Sequence, residues 1–177
     1  AVGLPKEEIT SYLEDLEGSV SIAAENSPNS ITLSGNLESL KRIAEELEAE
    51  QVFARFVPVD IPYHSSEMDC LLRDISLLLK ELKPECPSLD LVSSVTGEIV
   101  EGADSDAPYW CRNVREPVAF RAGFETLLRN GADLFVEISA HPVLSPSMKE
   151  NLLFEGKTGP VVASLRRNER DGLVFRR

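Results

Sequence analysis

The sequence is short of several things at once. It has two histidines, His64 and His141, three cysteines and one tryptophan among 177 residues. Cys70, Cys86 and Cys111 leave one thiol over in any pairing scheme, and their spacing matches no zinc-ligand pattern. A disulfide framework is therefore not expected, nor is a metal site, and the cysteine usage fits a reducing, cytoplasmic setting. Cations are also scarce: 18 Lys and Arg face 30 Asp and Glu, for a net charge of −12. Phosphate backbones are bound by clustered cations, so nucleic acid is not an expected partner. No apolar run approaches the ~20 residues that cross a bilayer, which removes the membrane from the expected partners. Ala1 to Pro5 has no basic region of a signal peptide, and the missing initiator methionine makes the chain read as a piece of something longer.

What is present looks like an ordinary globular composition, 42% hydrophobic and 27% charged. Ile9, Leu13 and Leu16 form a helical stripe over Lys6 to Leu16. Ser19 to Ala24 alternates as a strand with Val20, Ile22 and Ala24 on one face. Asn26-Ser27-Pro28-Asn29 is a turn signal, followed by a short strand from Ile31 to Ser34. Leu37, Leu40, Ala44 and Leu47 predict a helix over Leu37 to Glu50, and Val52 to Val59 is rich in β-formers. With a short strand at Ala1 to Leu4 the order is βαββαβ, that of a ferredoxin-like split βαβ unit.

Further on, Ser66 and Asp69 have the spacing of a capping box, and the stripe Met68, Leu71, Leu72, Ile75, Leu78, Leu79 and Leu82 predicts a helix lying on a core until Pro84 and Pro87. Leu89 to Ser94 reads as a strand turning at Thr96-Gly97 into Ile99-Val100. Phe120 to Asn130 reads as a helix, Leu134 to Ile138 as a buried strand and Val161 to Leu165 as a weaker one. The expected fold class is α/β with an α+β small subdomain: ferredoxin-like over residues 1–60, then the C-terminal part of a larger α/β subdomain over 61–165. Residues 166–177 read as the start of a linker. The remainder has too few strands to close an open sheet by itself.

His64 stands in Ile61-Pro62-Tyr63-His64-Ser65, just before the expected helix. It has two readings at this stage: a loop residue capping that helix, or a neutral imidazole at the positive end of a helix dipole, able to take a proton. A base needs a nucleophile to activate, and the chain contains no Gly-x-Ser-x-Gly elbow. Cys70 sits six residues along from His64, and Cys111 has no recognisable context.

Four segments carry a resemblance. Asn26 to Gly35 resembles the NSP…SG segment of the acyltransferase domains of polyketide and fatty acid synthases. Val59 to Met68 resembles their HAFHS/YASHS stretch, Tyr109 to Val118 their YWxxNxxxPV segment, and Phe135 to Leu144 their FVEIGPHPVL. They occur in family order from near residue 1 to about residue 165. The resemblance implies a ferredoxin-like subdomain inserted in an α/β-hydrolase-like one, with the active site between them. It gives His64 the role of base and gives the main-chain carbonyl of Asn113 the role of orienting it. It places Tyr63, Ile61, Asn26 and His141 around the substrate, with Tyr63 at the extender's α-substituent and a lean towards malonyl.

The family's GHSxG serine lies upstream of the matched region, as does its carboxylate-binding arginine. Implied substrates and partners are malonyl-CoA or a related acyl-CoA, the phosphopantetheine of an acyl carrier protein, the remaining N-terminal half of the domain and neighbouring synthase domains, with no bound cofactor. Arg112 and Arg115, with Arg121, form a basic cluster suited to a carrier protein or CoA phosphates, or simply to a solvated face with ion pairs. The competing functions are a non-catalytic carrier-protein docking module and a serine hydrolase of acyl thioesters.

Overall fold

The computed structural model describes residues 1–16 and 18–168. Helix α1 (Lys6–Leu13) buries Ile9. Strands β1 (Val20–Ser27) and β2 (Ser30–Gly35) form an antiparallel hairpin running from Val20↔Gly35 to Ser27↔Ser30. Pro28 and Asn29 make its turn, as their turn chemistry predicts. The register shifts between Ile22 and Ala24, so the expected strict alternation breaks and Ala23 is buried along with Val20 and Ala24. Gly35 closes the hairpin because nothing larger fits: at φ 142° an added Cβ would stand 2.2 Å from the Ser19 carbonyl oxygen.

Helix α2 (Leu37–Ala49) begins where the Asn36 side chain accepts from the amides of Glu38 and Ser39. It buries Ile43 and Leu47, while Leu37, expected inward, lies exposed at the first turn. Its end is a Schellman arrangement, Val52 N–H to Leu47 O (2.8 Å) and Gln51 N–H to Glu48 O (3.0 Å). Gln51 adopts φ 62° there, a conformation that ordinarily selects glycine.

The other two strands of the βαββαβ unit shrink to antiparallel bridges, Val2↔Ile31 and Val2↔Ala54. The spatial order is therefore the Ala54 segment, the Val2 segment, β2 and β1, the order of a ferredoxin-like sheet. The β-rich run after Val52 contributes one bridging residue and then leaves the sheet, and Phe53, Phe56, Val57 and Val59 are exposed along it. Behind this sheet Val2, Ile9, Val20, Ile31, Ile43 and Leu47 form one hydrophobic core.

The second unit departs more from expectation. The capping box at Ser66 does not form. Ser66 Oγ donates to Gly18 O (2.6 Å), Asp69 pairs with Arg115, and Ser66–Leu71 is 3₁₀ rather than α-helical. Helix α3 (Leu72–Leu78) is short and ends well before Pro84. Of its expected inward stripe only Met68 is buried, and Leu78 is 82% exposed. Val92↔Ile99 is the one bridge of the expected hairpin around Thr96-Gly97. Helix α4 (Ala107–Arg115) starts at Asp106, whose side chain accepts from Tyr109 N–H.

Helix α5 (Phe120–Arg129) matches its prediction. It leads to β3 (Phe135–Glu137), α6 (Ser145–Phe154) and β4 (Val161–Ala163). Strands β3 and β4 pair in parallel, Phe135↔Val161 to Glu137↔Ala163. Phe124, Leu128, Phe135 and Leu152 make the second core. The strand expected to be buried is covered on one face only: Phe135 and Glu137 point inward, while Leu134, Val136 and Ile138 are exposed.

The two units meet along the free edge of β1, where Val118, between α4 and α5, forms a parallel bridge with Ala24. Val118 N–H donates to Ala23 O (2.8 Å) and Val118 O accepts from Glu25 N–H (3.3 Å). Of the expected linker, residues 169–177 lie outside the described residues. No described helix is long and apolar enough to cross a membrane. Replacing Gln51 with glycine is expected to raise stability by about 0.5–1 kcal/mol, because the left-handed cap then carries no Cβ penalty. Paired denaturant melts check this, and a loss of stability would show that the Gln51 side chain contributes more than the cap costs.

Candidate active site

Helix α4 ends at Arg115 because Pro117 forces the residue before it into an extended conformation, and Glu116 has ψ 157°. The last carbonyls of a helix have no partner within it. Here they turn to His64. The His64 amide donates to Val114 O (2.9 Å), and ring Nδ1 lies 2.8 Å from Glu116 O. A carbonyl only accepts, so Nδ1 carries the proton and the Nε2 lone pair is left to act as acceptor. Among the described residues no hydrogen bond reaches Nε2. The orienting carbonyl is thus that of Glu116 and not that of Asn113. Asn113 lies within the helix, and its side-chain amide points to Ser94 Oγ (3.5 Å).

The expected helix N-terminus at His64 is also replaced. The helix end at the ring is the C-terminus of α4, the negative end of the dipole, which suits a ring that becomes cationic on taking a proton. His64 has φ 61°, a left-handed conformation that is strained for a side chain of its kind. Its neighbours hold it there. Ser65 is buried and donates from Oγ to Pro62 O (2.7 Å), and Met68 N–H donates to Ser65 O (3.1 Å).

His64, Tyr63 and Ile61 line one open groove of about 680 Å³ together with Leu33 of β2 and Leu37 and Leu40 of α2. The Tyr63 and His64 ring centroids are 6.2 Å apart. Asn26 and His141 do not line this groove. Asn26 spends its side chain inside the hairpin, donating to Thr32 Oγ1 (3.3 Å). His141 lies in the β3–α6 loop, where its Nδ1 accepts from Arg167 N–H (3.3 Å). The basic cluster is locally neutralised: Arg112 makes a two-point contact with Glu116 (2.9 and 3.0 Å), Arg115 pairs with Asp69, and Arg121 with Glu25 and Glu125. No group of three metal-ligating side chains occurs among the described residues.

One buried acid was not anticipated as a shaping element. Glu137 is 6% exposed and accepts from the amides of Val143, Leu144 and Ser145 and from Ser145 Oγ, at 2.6 to 3.0 Å. It gathers the loop that carries His141 and opens α6. Burial pushes its pKa up, but the Ser145 hydroxyl and the three amides outweigh burial and leave it at about 2 instead of 4.5. The visible sequence signal was an acid at the end of a strand, just before a Pro- and Ser-containing helix start.

Solved structures set the class. The chain superimposes with TM-score 0.93, at 31% identity over 98% of its length, on the acyltransferase domain from module 8 of the salinomycin polyketide synthase, covering 41% of that chain. It matches a loading acyltransferase from the avermectin modular polyketide synthase with TM-score 0.90, again at 31% identity and 98% coverage, over 55% of that chain. Polyketide synthase GfsB of Streptomyces halstedii is 37% identical over 170 residues, which is 96% of this chain and 3% of that protein. The acyl transferase domain model matches residues 1–177. The chain belongs to the acyl transferase domain family. It spans between 2% and 10% of the length of curated relatives it matches.

The Glu137 carboxylate titrates lower in the folded chain than in the unfolded one, so its contribution to stability is present above pH 4.5 and fades as the pH falls towards 2. The full contribution is about 3 kcal/mol. Glu137→Gln is therefore expected to destabilise the chain by about 2–3 kcal/mol at pH 7, with the gap to wild type narrowing below pH 4.5. Denaturant titrations across that range check it. A gap that stays constant down to pH 2.5 would refute the ionised, hydrogen-bonded carboxylate.

Proposed function

We propose that this chain forms the C-terminal part of an acyltransferase domain that moves a malonyl-type unit from CoA to the phosphopantetheine thiol of an acyl carrier protein. His64 is the base, and the serine nucleophile belongs to polypeptide preceding the chain. The observation that carries this reading is the imidazole itself: Nδ1–H is tied to Glu116 O at 2.8 Å, Nε2 has no hydrogen bond among the described residues, and His64 lines a largely apolar groove. A carbonyl in place of an aspartate fixes the tautomer without adding a buried charge.

The reaction is a two-stage transfer. His64 Nε2 takes the serine proton as the hydroxyl attacks the thioester carbonyl, and returns it to the departing CoA thiolate. The carrier-protein thiol then gives its proton to Nε2 and attacks the acyl-serine, and the serine oxygen recovers the proton on leaving. The oxyanion is held by backbone amides at the serine elbow. Tyr63 and Ile61 border the groove beside the ring, and the bulk of Tyr63 favours the unsubstituted malonyl unit. Asn26 and His141 are proposed to act on the substrate only indirectly, through the hairpin and the β3–α6 loop. For Arg112 and Arg115 to meet a carrier protein or CoA phosphates, their pairs with Glu116 and Asp69 must first open.

Mass spectrometry of the complete domain, incubated with malonyl-CoA and larger acyl-CoAs, tests the reading. Wild type is expected to gain a stable acyl group. His64→Ala is expected to slow acylation by roughly 10²–10⁴-fold, the usual worth of a general base. The 177-residue chain alone is expected to stay unlabelled, and an acyl group found on it would refute a nucleophile located elsewhere. Tyr63→Ser in the complete domain is expected to shift preference from malonyl-CoA towards methylmalonyl-CoA. An unchanged ratio would remove Tyr63 from the specificity wall.

A further inference from the structure

The two cores touch through one short main-chain contact and a polar seam. At Val118 the contact is a single bridge to β1, which by itself permits rotation about it. About 10 Å further along β1, at roughly 3.3 Å per residue, comes a second attachment. Glu150 of α6 accepts from Ser27 Oγ at 2.6 Å through one oxygen and from Asn29 Nδ2 at 2.7 Å through the other. Next to it Asn151, 2% exposed, donates from Nδ2 to Asn26 O at 2.8 Å. Ser27 is wholly buried. Between the two attachments Arg121 of α5 joins Glu25 (3.0 Å) and Glu125 (3.0 Å) and lies over the Phe154 ring at 4.9 Å.

Apolar surfaces slide over one another at little cost, whereas buried directional bonds are satisfied in one arrangement only. Ser27 and Asn151 are buried polar groups whose partners lie across the seam, so turning one core against the other would strand them without a hydrogen bond. The groove makes this orientation matter. His64 hangs from the end of α4, which continues through Val118 into α5 and the second core. Leu33 and Leu40, which line the same groove, pack on the first core.

We propose that Glu150, clamped on the tip of the β1–β2 hairpin, is a positioning residue that sets the gap between His64 and the α2 wall, and so sets the size of the acyl group that reaches the base. The mechanical half stands on the seam alone. The selectivity half rests on the acyl-transfer reading.

The test uses Glu150→Ala and the milder Asn29→Ala, which removes one exposed donor and strands no buried group, in the longer polypeptide that carries this chain. Two readings are taken. Amide exchange is expected to rise at residues 26–30 and 145–151 in both variants, with residues 43–47 and 124–128 staying protected. The ratio of kcat/KM for malonyl-CoA to that for a bulkier acyl-CoA is expected to change by at least roughly fivefold in Glu150→Ala, a small part of the range that pocket contacts command. The pH profile of kcat/KM, which reports the base, should stay in place.

Equal losses on every acyl-CoA, or unchanged exchange on both sides of the seam, would overturn the proposal. A wild-type polypeptide that transfers no acyl group would instead sink the acyl-transfer reading, and exchange alone would then decide whether the clamp exists. Should Glu150→Ala not fold, the same two readings on Asn29→Ala decide, with a smaller shift in the ratio expected.

Discussion

A helix that stops two residues before a proline leaves carbonyls that it cannot use, and the candidate site depends on where those carbonyls go. Val114 O takes the His64 amide and Glu116 O takes the ring Nδ1–H, so one helix end holds both the backbone and the imidazole of the same residue. The strained φ of His64 is tolerable because the Val114 contact, the buried Ser65 and the Ser66 contact to Gly18 all constrain the strap that carries it. Without that grip the strap from Phe53 onward has little to hold it. It leaves the sheet after one bridge and exposes most of its large side chains.

The rest of the chain presents this arrangement to an open groove. Neither core is large: six buried residues form one and four the other. Two such cores in van der Waals contact would not define one orientation. What defines it is polar, a strand edge extended by Val118 and a carboxylate that reads the hairpin tip with both oxygens. Glu137 does similar work within the second unit, gathering the loop between β3 and α6 around a buried charge whose acceptor sites are occupied. In both places an acid, Glu150 within α6 and Glu137 against its first residue, accepts from groups that no apolar contact would satisfy.

Where local chemistry and tertiary context agree, the sequence was legible. Pro28-Asn29 makes its turn, the helix expected from Leu37 forms as α2, and the one expected from Phe120 forms as α5 with Phe124 and Leu128 in the second core. Where they disagree it was not. The β-formers from Phe53 to Val59 have no neighbouring segment to pair with beyond Arg55, which exchanges backbone hydrogen bonds with Ala1. Of the leucines from Leu71 to Leu82, Leu72 and Leu79 are half-buried while Leu71, Leu77, Leu78 and Leu82 stay exposed, and their helix is shorter than their periodicity implies. Helices α4 and α6 went unpredicted because each opens on a proline in its first turn, a start signal that is easily read as a break. His64 was visible as one of two histidines, but its partner was not. Hydrogen bonding of a carbonyl depends on backbone direction, which residue identity does not report, and Asn113 lay one turn too early. The Glu-Pro pair at 116–117 was the available clue.

Pro117 therefore governs more than a helix length. Were the chain free to continue α4 through that point, Glu116 would turn its oxygen along the helix axis, away from the imidazole, and the ring would lose the contact that decides which nitrogen is basic. The protonation pattern of a residue in the groove is in this way written into the pyrrolidine geometry of another, far along the chain. Variation at such a position could abolish proton exchange at the site while every side chain around the groove remained the same.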